Sequence, residues 1–156
     1  MSELESRYDI FEPGDLTALV CVEQPDPQQK IVQHLTSMDY KVHTGLFAED
    51  VSLKIRTHPY DVVFIDENFG GLPVSQNPVL AEVIQLPTSQ RRNQFIILIG
   101  NSVMTNDEMS AFIFSVDLVF NVGDLANLKP VLRRGVTRQR EFYHAFKDNL
   151  KTMGMA

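Results

Sequence analysis

The side chains of this chain that could act as nucleophile, metal ligand or proton carrier are few and scattered. Its four histidines, His34, His43, His58 and His144, have none of the short paired spacings of a zinc site, so they read as surface or partly buried imidazoles. The single cysteine, Cys21, lies inside the apolar run 18–22 and reads as a core thiol. With no second cysteine there is no internal disulfide, and a reducing, cytoplasmic compartment is expected. No serine or cysteine sits in a strand–turn–helix nucleophile pattern. Gly70-Gly71 opens no helix and reads as a turn, not as a phosphate-cradling loop. The most ordered signal is a carboxylate at the end of an apolar run: Glu23 follows 18–22, and Asp66 follows 62–65. With no paired acid and base, no activated nucleophile and no metal cluster, the chain is expected not to be an enzyme.

Those carboxylates are positioned by the elements around them. The runs 18–22, 62–65 and 95–99 are apolar without alternation, as strands buried on both faces are. Shorter strands are expected at 41–44 and 118–120. Between them fall helix signals. Asp26, Pro27 and Gln29 have the spacing of a cap, a first-turn proline and a capping box, followed by the stripe Ile31, Leu35 and Met38. A second helix over 48–57 turns Val51 and Ile55 inward and stops before Pro59. Asn77-Pro78 opens a third helix that runs to Leu86, and 106–115 forms a fourth that carries Met109, Phe112 and Ile113. Asp124 starts the last. Strict strand–helix alternation predicts a three-layer α/β architecture: a doubly wound, five-stranded parallel sheet of flavodoxin-like order 2-1-3-4-5.

The last helix is long. From Asp124 to Met153 it would span about 45 Å, roughly twice what the sheet needs. Pro130 is expected to kink it and Gly135 to weaken it. Beyond Gly135 it continues with Val136, Phe142, Tyr143, Phe146 and Leu150 among basic residues. The predicted organisation is a leader over 1–15, a domain over 16–134 and a helical extension over 135–156.

Charge follows the same division. Through residue 128 the chain has seven basic and eighteen acidic side chains, a net of −11; from 129 onward seven face two, a net of +5, within the overall −6. An acidic body argues against broad nucleic-acid affinity, so the expected partner is a protein. Residues 1–14 are polar and acidic, with no basic stretch leading into an apolar core, so no signal peptide is expected. The most apolar run, 95–99, is too short to cross a bilayer, and no membrane role is expected.

The stretch Asp61-Val62-Val63-Phe64-Ile65-Asp66, within five βα units of matching order, resembles the response-regulator receiver (CheY-like) family over roughly residues 17–134. The resemblance implies that Asp66 is the candidate phospho-acceptor and that Glu23 and Asp66 are the candidate Mg²⁺ ligands. It also shows departures. The acidic pair after the first strand is Glu23-Gln24, one carboxylate and one amide. The hydroxyl residue ending strand four is replaced by Gly100, with Asn101 next and Ser102 two places on. The lysine ending strand five falls on Asn121, the proline after it on Val122, and the aromatic switch residue on Leu118.

Phosphoryl transfer is chiefly positioning and charge neutralisation, so the loss of the lysine and the hydroxyl removes what would grip a phosphoryl group. A phosphate with no differential contacts in two conformations shifts no equilibrium. The resemblance therefore implies a pseudo-receiver: a non-catalytic module of bacterial two-component signalling that needs no cofactor and works by contact. Receivers commonly interact through the fourth helix, fifth strand and fifth helix, which here places Phe112, Phe120, Phe142 and Phe146 on the expected interface. The partner would be another protein or a second copy joined through the C-terminal helix. Two alternatives are a working phosphorelay receiver using Asp66 with Mg²⁺, and a flavodoxin-like binder of a small ligand at the carboxyl edge of the sheet.

Overall fold

The computed structural model describes residues 11–154. Most of the expected leader, and Met155-Ala156, lie outside the described residues. Five parallel strands, β1 (Leu16–Cys21), β2 (Tyr40–Thr44), β3 (Val62–Asp66), β4 (Phe95–Gly100) and β5 (Leu118–Asn121), form one sheet in the order β2-β1-β3-β4-β5. This is the doubly wound, receiver-like α/β fold that the alternation predicts. Registers bring Ala18 beside Val62, Val62 beside Phe95 and Ile97 beside Leu118, so the apolar runs lie side by side.

Alternate residues of each strand serve different cores, which is why the runs show no polar alternation. On one face, Ala18, Val20, Phe64, Ile97, Ile99 and Phe120 pack against helix α1 (Pro25–Ser37) through Ile31 and Leu35. Leu128, Leu132 and Val136 of the last helix complete that core. On the other face, Leu19, Cys21, Val63, Ile65, Ile96 and Leu98 meet α2 (Ala48–Thr57) and α3 (Pro78–Ile84) through Val51, Ile55, Val79 and Val83. Burial of each such side chain contributes about 1.5–3 kcal/mol. Cys21 is fully enclosed, and that burial pushes its thiol well above the ordinary range.

Several local expectations are corrected. Pro25, not Pro27, opens α1. Gln24 is the cap and makes no side-chain cap bond, while Asp26 falls in the first turn, exposed and paired with Lys30. Asn77 does cap α3, accepting from the N–H groups of Val79 and Leu80. That helix stops at Ile84, and a one-turn α4 (Thr88–Arg91) follows. The next helix, α5 (Glu108–Phe114), is capped by Asp107 and buries none of its residues.

The chain after β5 passes through a 3₁₀ turn (Val122–Asn127) into α6 (Leu128–Thr152), which continues past the body. Neither expected weak point breaks α6. Pro130 is its third residue, where no N–H is needed for an intrahelical bond. Gly135 faces the core so closely that a Cβ there would stand 2.6 Å from Phe95 Cζ. No helix among the described residues is long and apolar enough to cross a membrane.

Candidate functional site

β1, β3 and β4 end together at the carboxyl edge of the sheet, and the matched residues gather there. Asp66 closes β3, half-buried, with Oδ1 accepting from the Asn68 N–H at 2.9 Å. Burial raises its carboxyl above the ordinary value, the Asn68 bond opposes this, and the neighbouring charges of Glu67 and Glu23 add to the rise. Glu23 is exposed, and its Oε1 accepts from the Gly70 N–H. That bond explains the Gly70-Gly71 turn: both glycines have positive φ, 75° and 74°, which lets the loop turn its N–H toward Glu23. Asn77 Nδ2 donates to the Asp66 carbonyl at 2.7 Å, fixing the end of β3.

Mg²⁺ bound at this edge would have Glu23 and Asp66 as its carboxylate ligands. Mg²⁺ demands near-octahedral oxygen coordination. Here two matched carboxylates each accept a backbone N–H, Gln24 offers only an amide, and no group of three His, Cys, Asp or Glu side chains converges among the described residues.

Glu67 was missed by sequence reasoning. It is buried, 5 % exposed, and its Oε2 has no hydrogen-bond partner. A Cβ on Gly100 would lie 2.0 Å from that same oxygen. The carboxylate of Glu67 therefore fills the place vacated at Gly100, where the family has a hydroxyl side chain. The signal was present as an acidic residue beside Asp66 and a glycine ending β4, but only the fold brings the two together. Asn101 and Ser102 bond to each other, Ser102 Oγ donating to Asn101 Oδ1 at 3.4 Å.

Asn121, at the lysine position, is fully committed. Its Nδ2 donates to the Val103 carbonyl at 2.6 Å, its Oδ1 accepts from the Gly123 N–H at 2.7 Å, and its own N–H donates to Thr105 Oγ1 at 2.9 Å. Thr105 Oγ1 in turn donates to Asp124 Oδ2 at 2.6 Å. The loop between β4 and α5 is thus clipped to the end of β5 by the Asn121 amide and the Thr105 hydroxyl, with no cation involved. Leu118, at the switch position, is buried in the core, and no Lys or Arg among the described residues pairs with Asp66.

Of the four aromatic residues expected at an interface, Phe120 is corrected. It points inward from β5 and is fully buried, because even a short strand in a covered sheet has both faces occupied. Phe112 is 82 % exposed and Phe142 67 %. Both line a groove of about 840 Å³ between α5 and α6, floored by Phe95, Val116 and Leu118. Phe146 lies farther along α6 beneath the Arg92 guanidinium, 5.4 Å from its ring centre.

Comparison with known proteins bears on fold alone. No family model matches the sequence, and neither does any curated protein. Among the solved structures that resemble the chain are the following two. One is a fusion carrying a trimeric coiled-coil segment of yeast Spc42, with a TM-score of 0.63, 16 % identity and 92 % of each chain covered. The other is NtrX from Brucella abortus in complex with ADP, a response regulator, with a TM-score of 0.62 and 17 % identity over 88 % of this chain. The match spans 30 % of the NtrX chain.

Proposed function

We propose that the chain is a pseudo-receiver: a non-catalytic signalling module in two-component-type transduction, acting by contact with a protein partner, foremost a second copy of itself. The likeness to a response regulator supports the general role. The observation that carries the non-catalytic reading is the Glu67 carboxylate lodged against Gly100. A phosphoryl group arriving at Asp66 brings negative charge beside Glu23 and Glu67, where no Lys or Arg among the described residues pairs with Asp66 and Asn121 is already bound. Such a module needs neither Mg²⁺ nor phosphorylation, and a cytoplasmic location suits its single free thiol.

Adding beryllofluoride and Mg²⁺ to the labelled protein tests this. The expected amide spectrum around residues 66–68 and 100–105 is unchanged. Saturable shifts there would establish a working phospho-acceptor and overturn the reading.

Self-association is supported by the groove. Its α5 side carries Asp107 and Glu108, and its α6 side Arg134 and Arg138 with one carboxylate, Glu141. An acidic wall, a wall with a net positive charge and apolar side chains between them are self-complementary under a two-fold axis. Light scattering at rising concentration is expected to show a dimer that Phe112→Glu or Phe142→Glu dissociates. A monomer at millimolar concentration would remove this part of the reading.

A further inference from the structure

α6 runs antiparallel to the strands, so its far half passes the amino edge of the sheet, opposite the Asp66 end. A notch of about 340 Å³ opens there between Val136, Gln139, Arg140, Tyr143, His144 and Lys147 on one side and Tyr40, Asp61, Val62, Arg92 and Asn93 on the other. That volume lies at the small end of pockets that hold small molecules.

Its charge is lopsided for a protein with a net of −6. Arg92, Arg140 and Lys147 face one carboxylate, Asp61. Asp61 Oδ2 is already taken, accepting from the Thr17 N–H at 2.8 Å and more weakly from Thr17 Oγ1. Arg140 forms no ion pair among the described residues. Among the described residues Lys147 Nζ donates to the neutral Asn93 Oδ1, at 2.9 Å, and to no carboxylate. Arg92 Nε is buried with no acceptor, while its guanidinium is held over Phe146. That Nε is closed off from solvent, so what Arg92 brings to the notch is its positive charge.

We propose that this notch is a binding site for the phosphoryl group of a small phosphate-bearing molecule. Three cations against one carboxylate leave a local charge near +2, which matches a phosphoryl dianion. The donors come from three directions: the loop before β4, the start of β2 and the face of α6. A planar carboxylate is best gripped by one guanidinium fork, whereas donors spread over three elements suit a tetrahedral oxyanion. Burial raises the Tyr40 hydroxyl above its ordinary value, with Arg140 opposing, so Tyr40 stays a donor at neutral pH. Tyr143 and the aliphatic stem of Arg140 wall the notch for the remainder of the ligand. The site goes beyond the pseudo-receiver reading and does not depend on it.

Calorimetric titration of the full chain with inorganic pyrophosphate, at fixed ionic strength, tests the site. One saturable site is expected, weakened at least tenfold by Arg140→Gln and by Lys147→Gln. Arg133→Gln, an equal charge change on an exposed residue of the same helix, is expected to leave it within twofold. All three positions are exposed, so an unchanged thermal transition is expected to accompany the loss. Absence of saturation, or equal weakening by Arg133→Gln, would overturn the site. Succinate binding as tightly as pyrophosphate would overturn the phosphoryl assignment. An oligoglutamate peptide binding more tightly than either would make the notch a protein-contact surface instead.

Discussion

Gly100 and Glu67 behave as one unit at the level of single residues. A methyl group on Gly100 would meet Glu67 Oε2 at 2.0 Å, so the side chain must leave its buried place or the strand end must shift. Gly100 has no positive φ to forbid alanine. The cost of Gly100→Ala is therefore steric and belongs to the pair: about 1–3 kcal/mol alone, as overpacking commonly costs. Glu67→Ala removes the obstacle, and a carboxylate oxygen buried without a partner is no asset to stability. In the Glu67→Ala background, Gly100→Ala is expected to cost less than about 0.5 kcal/mol, a coupling of about 0.5 kcal/mol or more by urea denaturation. Additive effects would mean the two residues do not share this space. Here lies the limit of what the sequence shows. That Gly100 and Asn121 fall where the receiver resemblance would put a hydroxyl and a lysine could be read residue by residue. What occupies the gap could not, because Glu67 and Gly100 are 33 positions apart and meet only when β3 and β4 pair.

At the level of elements, strands were more legible than helix ends. Three apolar runs alternating with helix signals pointed to a covered parallel sheet, with 2-1-3-4-5 as its natural order. Caps were less legible. Asp26 has the chemistry of a cap, yet the helix starts one residue earlier on Pro25, and backbone turn geometry decides between the two. Gly135 was read by propensity, as a weak point in α6, when packing governs it. Replacing an exposed helical glycine by alanine gains about 1 kcal/mol. At Gly135 the new Cβ would press on Phe95, an aromatic ring only 3 % exposed, with its Cζ at 2.6 Å. Overpacking a rigid ring outweighs the propensity gain, so Gly135→Ala is expected to destabilise by a net 1–2 kcal/mol or about that. A rise in melting temperature would show that α6 can lift from the sheet at no cost.

A second element-scale consequence concerns the N-terminal approach to the sheet. Phe11 stacks on His43, with ring centres 4.3 Å apart, and lies 4.6 Å from His58, while Tyr60 closes the cluster from below. Tyr60 Oη and His43 Nδ1 are hydrogen-bonded at 2.6 Å. Burial lowers the His58 imidazole below its ordinary value near 6.5, the His43 charge adds to this, and Asp61 opposes it. The folded state thus holds fewer protons on His58 than the unfolded chain does once pH falls below about 6.5. Stability must then fall with pH across that window. His58→Phe keeps the ring and removes the titration. The stability difference between His58→Phe and the parent is expected to grow in favour of the variant from pH 7.5 to 5.5, by denaturant unfolding. A difference independent of pH would mean His58 stays solvated.

The whole molecule is a dipole, and its groove is one in miniature. The acidic body carries Glu108 at the start of α5, and the basic helix carries Arg138 on the facing wall. In an isologous dimer each wall meets the opposite wall of its twin, so one charge reversal spoils two contacts at once. Glu108→Lys alone would add a third positive charge to Arg134 and Arg138 at each contact, and Arg138→Glu alone would add a fourth negative charge to Asp107, Glu108 and Glu141. Each is expected to weaken association about tenfold, roughly 1.4 kcal/mol. The double variant restores opposite signs with the walls exchanged. It is expected to recover most of the parent affinity by sedimentation equilibrium, while all forms lose affinity as salt rises and screens the rim. The bipolar charge could be counted from the sequence, but its meaning could not. Only the position of α6 across the edge of α5 turns two blocks of charge into one self-complementary surface. A double variant no better than the worse single one would show that these walls do not face each other, and the groove would then belong to a different partner.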